Sequence, residues 1–556
     1  VVQRASEEVL LLAKHYAAER PELFTRLAHE VAAKGTTIGA ADDRPGEQEG
    51  PVDAVVIGGG LAGMAATLTL IDRGARVVLV EKQPYLGGNS GKASSGINAA
   101  LDTTVESLIA DTTRSAGALV RPDLIGKLAQ DSAGAVSWLR DRTGVDLSMR
   151  AQLGGHTAKR TLRPSNAFVG AEITFAAGQL LNDLAKRQPR QLRILTKAKW
   201  TGLAHGSAGW QATVFVNGSH ILVNATSAVI ASGGFGHDLQ EAESLLLKSR
   251  PDLADFPTTL GPQTTGDGLK IARGVGARLV DMDRVQIHPT GFVNPASPAD
   301  HTKTLAAELL RGVGGLLLDR SGRRFTDELG TRQAVVNDQL RAADEGRSMP
   351  APAPTRAFAL VLNGKAAAVA DRHVTLYSKK GLLSKVSGLA GLAAHLNVSA
   401  EALRETVAAY NEAAGAGLDS FGRTVFPAGH WPVEPDEDFY VGLVVPVIHY
   451  TMGGIAIDTD GRVLANASGE PLPGLYAIGE ASGGVHGDNR LAGNSLLECT
   501  VFGRHVGLTL PVKEAGPSIK LADRERAPTT ASAPAQPSQE AARRIGAAEL
   551  GQHKDR

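Results

Sequence analysis

The chain has a single cysteine, Cys499, in 556 residues. That excludes disulfide frameworks, iron–sulfur clusters and cysteine-built zinc sites. It also excludes a covalent c-type haem, which needs two cysteines ahead of a histidine. No apolar run reaches the ~18 residues that would cross a bilayer. Neither sign of charge is in excess, because 58 Lys and Arg cancel 58 Asp and Glu. Nucleic acid and anionic membranes call for a cationic face, so neither is expected as the main partner. A signal or transit pattern is missing as well. The expectation is a soluble protein of the cytoplasm or an organelle matrix, with Val1 marking a processed form or an excerpt.

What is present is globular. Hydrophobic residues make up 43%, and the length is about four times a ~150-residue domain, so several domains are expected. The 64 glycines imply many tight turns and places where backbone approaches a ligand. Residues 1–51 read as a helical pair followed by a polar, Gly/Pro-rich linker. From Val52 the pattern is strand, glycine turn, helix, strand, as in α/β domains. Between 284 and 449 it becomes a mixture of helices and proline breaks, and strand-like text returns at 450–510. One α/β domain (52–283 and 450–510) with a second domain inserted at 284–449 is expected. Residues 511–556 read as a Pro/Ala/Ser-rich linker. There is no internal repeat.

The segment Asp53–Met64, DAVVIGGGLAGM, carries the first chemistry. A buried strand, Val52–Ile57, runs into Gly58-x-Gly60-x-x-Gly63, then a helix over 61–73. A second strand, 76–80, ends at Glu81. Gly58 permits the tight turn, Gly60 lets backbone approach a pyrophosphate, and Gly63 lets helix pack on strand; the helix N-terminus attracts the negative charge. Glu81 is placed to accept hydrogen bonds from a ribose. A glycine-rich βαβ turn without a ligand is the competing reading. Two further buried strands with glycine turns, 228–235 and 474–480, the latter ending at Glu480, favour FAD over NAD. The longer cofactor needs a ribityl partner and a second approach point far along the chain.

At this point the chain resembles the fumarate reductase/succinate dehydrogenase flavoproteins, and most closely the soluble, single-chain fumarate reductases. The resemblance rests on VVIGGGLAGMAAT (55–67), GGNSGKASSGINAA (87–100), TTGDG (264–268), His288-Pro289, HYTMGG (449–454) and HGDNRLAGNS (486–495). It implies a Rossmann-type FAD-binding domain carrying an inserted α+β capping, or clamp, domain, with the active site between them. Asn89, Ser90, Gly96, Asp267 and Ser495 fall in its flavin-side motifs; Thr265 and Arg163 lie near the flavin or the domain junction. Membrane-bound relatives attach FAD through a histidine where this chain has Asn89, so the FAD is expected to be non-covalent, which favours fumarate reduction over succinate oxidation. No metal site is expected.

Reducing a C4 dicarboxylate alkene requires cations for both carboxylates, since burying unpaired anions costs several kcal/mol each, and a proton donor opposite the hydride. The resemblance assigns His288, His449 and Arg490 to the carboxylates, Arg490 being capable of a bidentate grip. It assigns proton donation to Arg332, with Glu308 and Arg311 resupplying it. A free guanidinium keeps its proton to above pH ~12, hence the need for a relay. The i,i+3 spacing of Glu308 and Arg311 puts them on one helix face. Many relatives have a threonine at Ala307 whose hydroxyl contacts a carboxylate; that hydrogen bond must come from elsewhere here, or the substrate differs. A urocanate-type alkene or L-aspartate is therefore an alternative substrate, and a non-catalytic flavin-binding scaffold a remote one. Cys499 reads as a buried thiol. No haem motif or second dinucleotide fingerprint supplies electrons, which leaves reduced free flavin or an attached cytochrome or reductase domain. Residues 545–556 faintly resemble the start of a b-type cytochrome domain.

Overall fold

A computed structural model describes residues 52–512, apart from 166, 208, 240, 241, 351, 352 and 428. The expected helical pair and linker at 1–51, and nearly all of the expected 511–556 linker, lie outside the described residues.

Two strands and a helix open the fold: β1 (Val52–Ile57), α1 (Leu61–Asp72) and β2 (Val77–Val80). Every residue of β2 and all but the first of β1 are buried. Strands of a parallel sheet covered on both faces read as continuous apolar runs for this reason. β1 pairs in parallel with β2 on one side and with β3 (Ser219–Ile230) on the other. The turn after β1 is built from glycine. Gly58 has φ +111°, and a Cβ on Gly63 would sit 1.9 Å from the Gly58 carbonyl oxygen. α1 can thus start tight against the strand end, with its N-terminus facing the cleft described below.

A second, antiparallel sheet follows. β4 (Val285–Phe292) pairs with β6 (Asp438–Thr451), and β6 pairs with β5 (Phe358–Asn363). Two short elements matter for the site: α2 (Glu308–Gly312) and the start of α3 (Arg332–Asp344), capped by the Thr331 side chain. β5 is wholly buried, and this region has its own apolar cores around Phe358, Leu360 and Val441. β7 (Pro471–Ala477) then rejoins the first sheet beside β3, and α4 (Asn494–Thr509) packs against α1. The architecture is a Rossmann-type FAD domain with an inserted α+β cap. Among the described residues no helix is long and apolar enough to cross a membrane.

The backbone contact at Gly63 leaves no soft neighbour to yield. Gly63→Val should lower unfolding stability by about 1–3 kcal/mol or more, measured by guanidinium titration. A variant as stable as the parent would show that α1 tolerates a wider turn.

Candidate active site

An elongated cleft of about 320 Å³ runs from the β1–α1 turn to the antiparallel sheet. It is lined by Gly58, Gly60, Glu81, Asn89, Ser90, Gly96, Asp267, Glu480 and Ser495 along one stretch, and by Arg332, His449 and Arg490. Most of the residues singled out in the sequence therefore share one cavity. Gly63 packs behind the turn, while His288, Glu308 and Arg311 stand just behind Arg332. Neither Thr265 nor Arg163 lines the cleft; Thr265 instead receives a hydrogen bond from Lys82, 3.1 Å away.

The nucleotide end fits a dinucleotide. A Cβ on Gly60 would meet nothing closer than the Ser90 hydroxyl at 3.8 Å, so this backbone faces open space. Ser90 Oγ accepts the Leu61 N–H at the helix start. Glu81 accepts backbone N–H groups from Gly59 and Gln83, both at 2.7 Å. Burial pushes its carboxyl up, against those two hydrogen bonds. Asn89 ties two loops together: its Nδ2 donates to Thr264 Oγ1 at 2.7 Å and its Oδ1 accepts from Gly261 N–H at 3.0 Å. Asp267 pairs with Lys82 at 3.0 Å. Glu480 accepts from Thr451 N–H and Oγ–H, and burial pushes its carboxyl up to about 7.

The other end is a concentration of buried cations. Arg332 donates through Nε to Glu308 Oε2 at 2.7 Å and through Nη1 to Gln286 Oε1 at 2.7 Å. Arg311 Nη2 is 3.7 Å from the same Glu308 oxygen. The i,i+3 partner expected from spacing is thus the more distant of the two guanidiniums. Burial pushes the Glu308 carboxyl up, but Arg332, His288 and Arg311 outweigh it and hold it well below the usual range. Arg311 is fixed from behind by donating to the Glu328 carbonyl, and Glu328 in turn holds Arg324 and Arg423.

Both histidines are neutral. His288 is fully buried, which with the nearby Arg332 takes its imidazole down to about 3 despite Glu308. The Thr290 N–H donates to His288 Nδ1 at 3.2 Å, so the proton sits on Nε2, which points at Glu308 across 3.6 Å. His449 is likewise depressed by burial, then by His288 and Arg332. Its position has a structural cause. Gln286 pairs with Tyr450 and Ile287 with Ile448, so His449 is the extra residue of a β-bulge, a device that re-aims a side chain. The two imidazole centroids end 5.0 Å apart, and Thr259 Oγ1 lies 2.8 Å from His449 Nδ1. Arg490 is 3% exposed; burial and Arg332 bring its guanidinium down to about 10.

Several participants carried no sequence signal strong enough to find them. Gln286 accepts from Arg332 and donates 2.9 Å to the Arg490 carbonyl and 2.9 Å to Asn489 Oδ1. It stands two positions before His288, but the bulge breaks simple alternation there. Thr259, Tyr450 and Glu498 are the others. Beside Ala307 the hydroxyl present is that of Tyr377, which accepts from Ala307 N–H and donates to the Leu305 carbonyl.

A cleft with a dinucleotide turn at one end and buried guanidiniums at the other fits a flavin-dependent oxidoreductase. The FAD binding domain family matches residues 53–496. The chain is 40% identical to a fumarate reductase of Schizosaccharomyces pombe, over 82% of this chain and 88% of the relative. It is 38% identical to fumarate reductase 1 of Saccharomyces cerevisiae, over 81% and 96%. Among solved structures, the open conformation of a flavocytochrome c3 fumarate reductase matches with a TM-score of 0.63 and 29% identity, covering 84% of this chain and 82% of that one. The chain belongs to the FAD-binding family, and within it to the fumarate reductase flavoproteins, and FAD is its cofactor.

A histidine held neutral in the fold binds fewer protons than its unfolded counterpart once the pH drops below ~6.5. Stability then falls with pH between ~6.5 and the folded value of about 3. His288→Asn should become progressively more stable relative to the parent over that window in guanidinium titrations. A difference independent of pH would show that His288 is charged in the fold.

Proposed function

We propose that the chain reduces fumarate to succinate. The observation that carries this is the set of three buried guanidiniums, Arg311, Arg332 and Arg490, of which the first two share one carboxylate, Glu308, and the third has no ion-pair partner among the described residues. Two of these side chains and His449 line the FAD cleft. Such a site is short of negative charge, and a dianion supplies it.

In this reading Arg490 grips one carboxylate with its guanidinium fork. The neutral imidazole of His449 donates to a carboxylate oxygen without adding charge; His288, expected beside it as a carboxylate partner, is fully buried behind Arg332 and spends its one N–H on the side of Glu308, so it orients Glu308 instead. Negative charge that grows on one carboxylate during reduction is met by these preset donors, an arrangement that needs little reorganisation. FAD, when bound in this cleft, would supply the hydride that one alkene carbon receives. Arg332 gives a proton to the other carbon, and the alkene and its two added hydrogens become succinate. Glu308, held ionised, aligns Arg332 and passes it a replacement proton from Arg311. Asn89, with no imidazole and both amide ends engaged, supports non-covalent FAD. Ala307 offers no hydroxyl, so a urocanate-type alkene or L-aspartate stands as a second substrate reading.

The inserted span, taken as 284–449, serves as the cap that brings Arg332, Glu308 and His288 over the cofactor. The electron donor is reduced free flavin or an attached cytochrome or reductase domain, and the compartment is cytoplasm or an organelle matrix.

The test is anaerobic turnover of the purified yellow protein with reduced viologen and fumarate, urocanate or L-aspartate. Fumarate should reoxidise the donor fastest. Arg332→Ala should keep its FAD and lose at least about a hundredfold in kcat; retention of a tenth of the parent rate would remove Arg332 from proton transfer. Arg490→Met should raise the fumarate KM by at least about tenfold, and an unchanged KM would remove Arg490 from the carboxylate.

A further inference from the structure

Arg490 is a buried cation with few partners. It is 3% exposed, its Nε has no hydrogen-bond partner, and Nη1 reaches only the Leu491 carbonyl at 3.4 Å. A buried guanidinium left this way carries a large desolvation cost unless negative charge lies close by. Glu480 and Glu308 act on it only from a distance, without pairing with it, and what lies against it is a ring. The guanidinium carbon stands 4.4 Å from the centroid of Tyr450, inside cation–π range.

The ring is not an ordinary phenol. Its hydroxyl donates to Glu498 Oε2 at 2.6 Å. His486 Nε2 is 2.9 Å from the same oxygen, and Ser482 Oγ is 3.3 Å from Oε1. Glu498, Ser482 and His486 are all buried. A hydrogen bond to a carboxylate moves electron density from the O–H bond into the ring and makes its face more negative. The carboxylate charge of Glu498 is thereby felt by Arg490 through the Tyr450 ring.

We propose that Tyr450, backed by Glu498 and His486, is the positioning counter-charge of Arg490, and that it sets dicarboxylate affinity by stabilising the guanidinium from its face while leaving its N–H edge for the incoming carboxylate. A carboxylate paired directly with Arg490 would occupy that edge, and substrate would have to displace it. A charge delivered through a stacked ring stabilises the cation at no cost to the edge. The proposal rests on the reading that Arg490 binds a substrate carboxylate.

The experiment titrates the FAD-loaded protein with malonate, following the flavin absorbance, and measures steady-state kinetics with fumarate. Four variants are compared: Tyr450→Phe, Tyr450→Leu, Glu498→Gln and Arg490→Met. Tyr450→Phe keeps the ring and should weaken malonate binding and raise the fumarate KM by about three- to tenfold, with kcat within about twofold of the parent. Tyr450→Leu removes the face and should weaken both by about thirtyfold; Glu498→Gln should resemble Tyr450→Phe. If Tyr450→Leu or Glu498→Gln fails to retain FAD, the decision falls to the near-isosteric Tyr450→Phe alone. If Arg490→Met loses malonate while Tyr450→Phe binds it like the parent, or lowers kcat at unchanged KM, the proposal is overturned and the carboxylate role of Arg490 stands. If the parent, or Arg490→Met relative to it, shows no dependence on malonate or fumarate, the reading beneath the proposal is overturned instead.

Discussion

One ion pair organises the site: the 2.7 Å contact between Arg332 Nε and Glu308 Oε2. Both residues start helices, so their backbones are fixed by α2 and α3 before their side chains meet. Glu308 is 1% exposed and Arg332 7%. Removing either partner would strand the other in a medium that penalises lone charge by several kcal/mol. The surroundings show how that is avoided. Glu308 also takes the Gly154 N–H, Arg332 also takes Gln286, and Arg311 is anchored away from Glu308 by the Glu328 carbonyl.

Gln286 deserves equal weight as geometry. It accepts from Arg332, while its amide N–H groups reach the Arg490 carbonyl and Asn489. One neutral side chain thereby sets the spacing between the residue assigned to proton donation and the loop carrying the residue assigned to a carboxylate. It adds no charge to a cluster already rich in cations. A glutamate at that place would pair with Arg332 and compete with Glu308 for it; a leucine would leave a guanidinium N–H unpartnered.

The βαβ turn was legible in the sequence to within a residue. Its determinants are local: an apolar run short enough for a strand, glycines where φ or packing demands them, and an acid at the end of the next strand. The second sheet was legible only as a change of texture, because β4 and β6 lie about 150 residues apart in sequence and their pairing leaves no local mark. The same distance hid Gln286, whose partners sit 46, 203 and 204 positions away. His449 could be named from its motif, but the reason its ring faces His288 is a bulge that only the register reveals. Glu308 and Arg311 were rightly placed on one helix turn, yet spacing alone overstated their bond; the tighter partner comes from another helix.

The histidines show why the cluster is not simply a sum of positive groups. With Arg332 and Arg490 nearby, a charged imidazole would add repulsion to the cost of burial, and both effects hold His288 and His449 neutral. In the proposed reading a neutral donor such as His449 suits a site that must release its product as well as bind its substrate. Each added full charge would hold a dianion more tightly in ground state and product alike, which lowers KM without helping the chemical step. Arg490, stacked on Tyr450 rather than locked in a salt bridge, follows the same logic. The fixed charge is kept to what burial and one carboxylate can stabilise, and the rest of the recognition is left to hydrogen bonds that strengthen as the substrate's own charge redistributes.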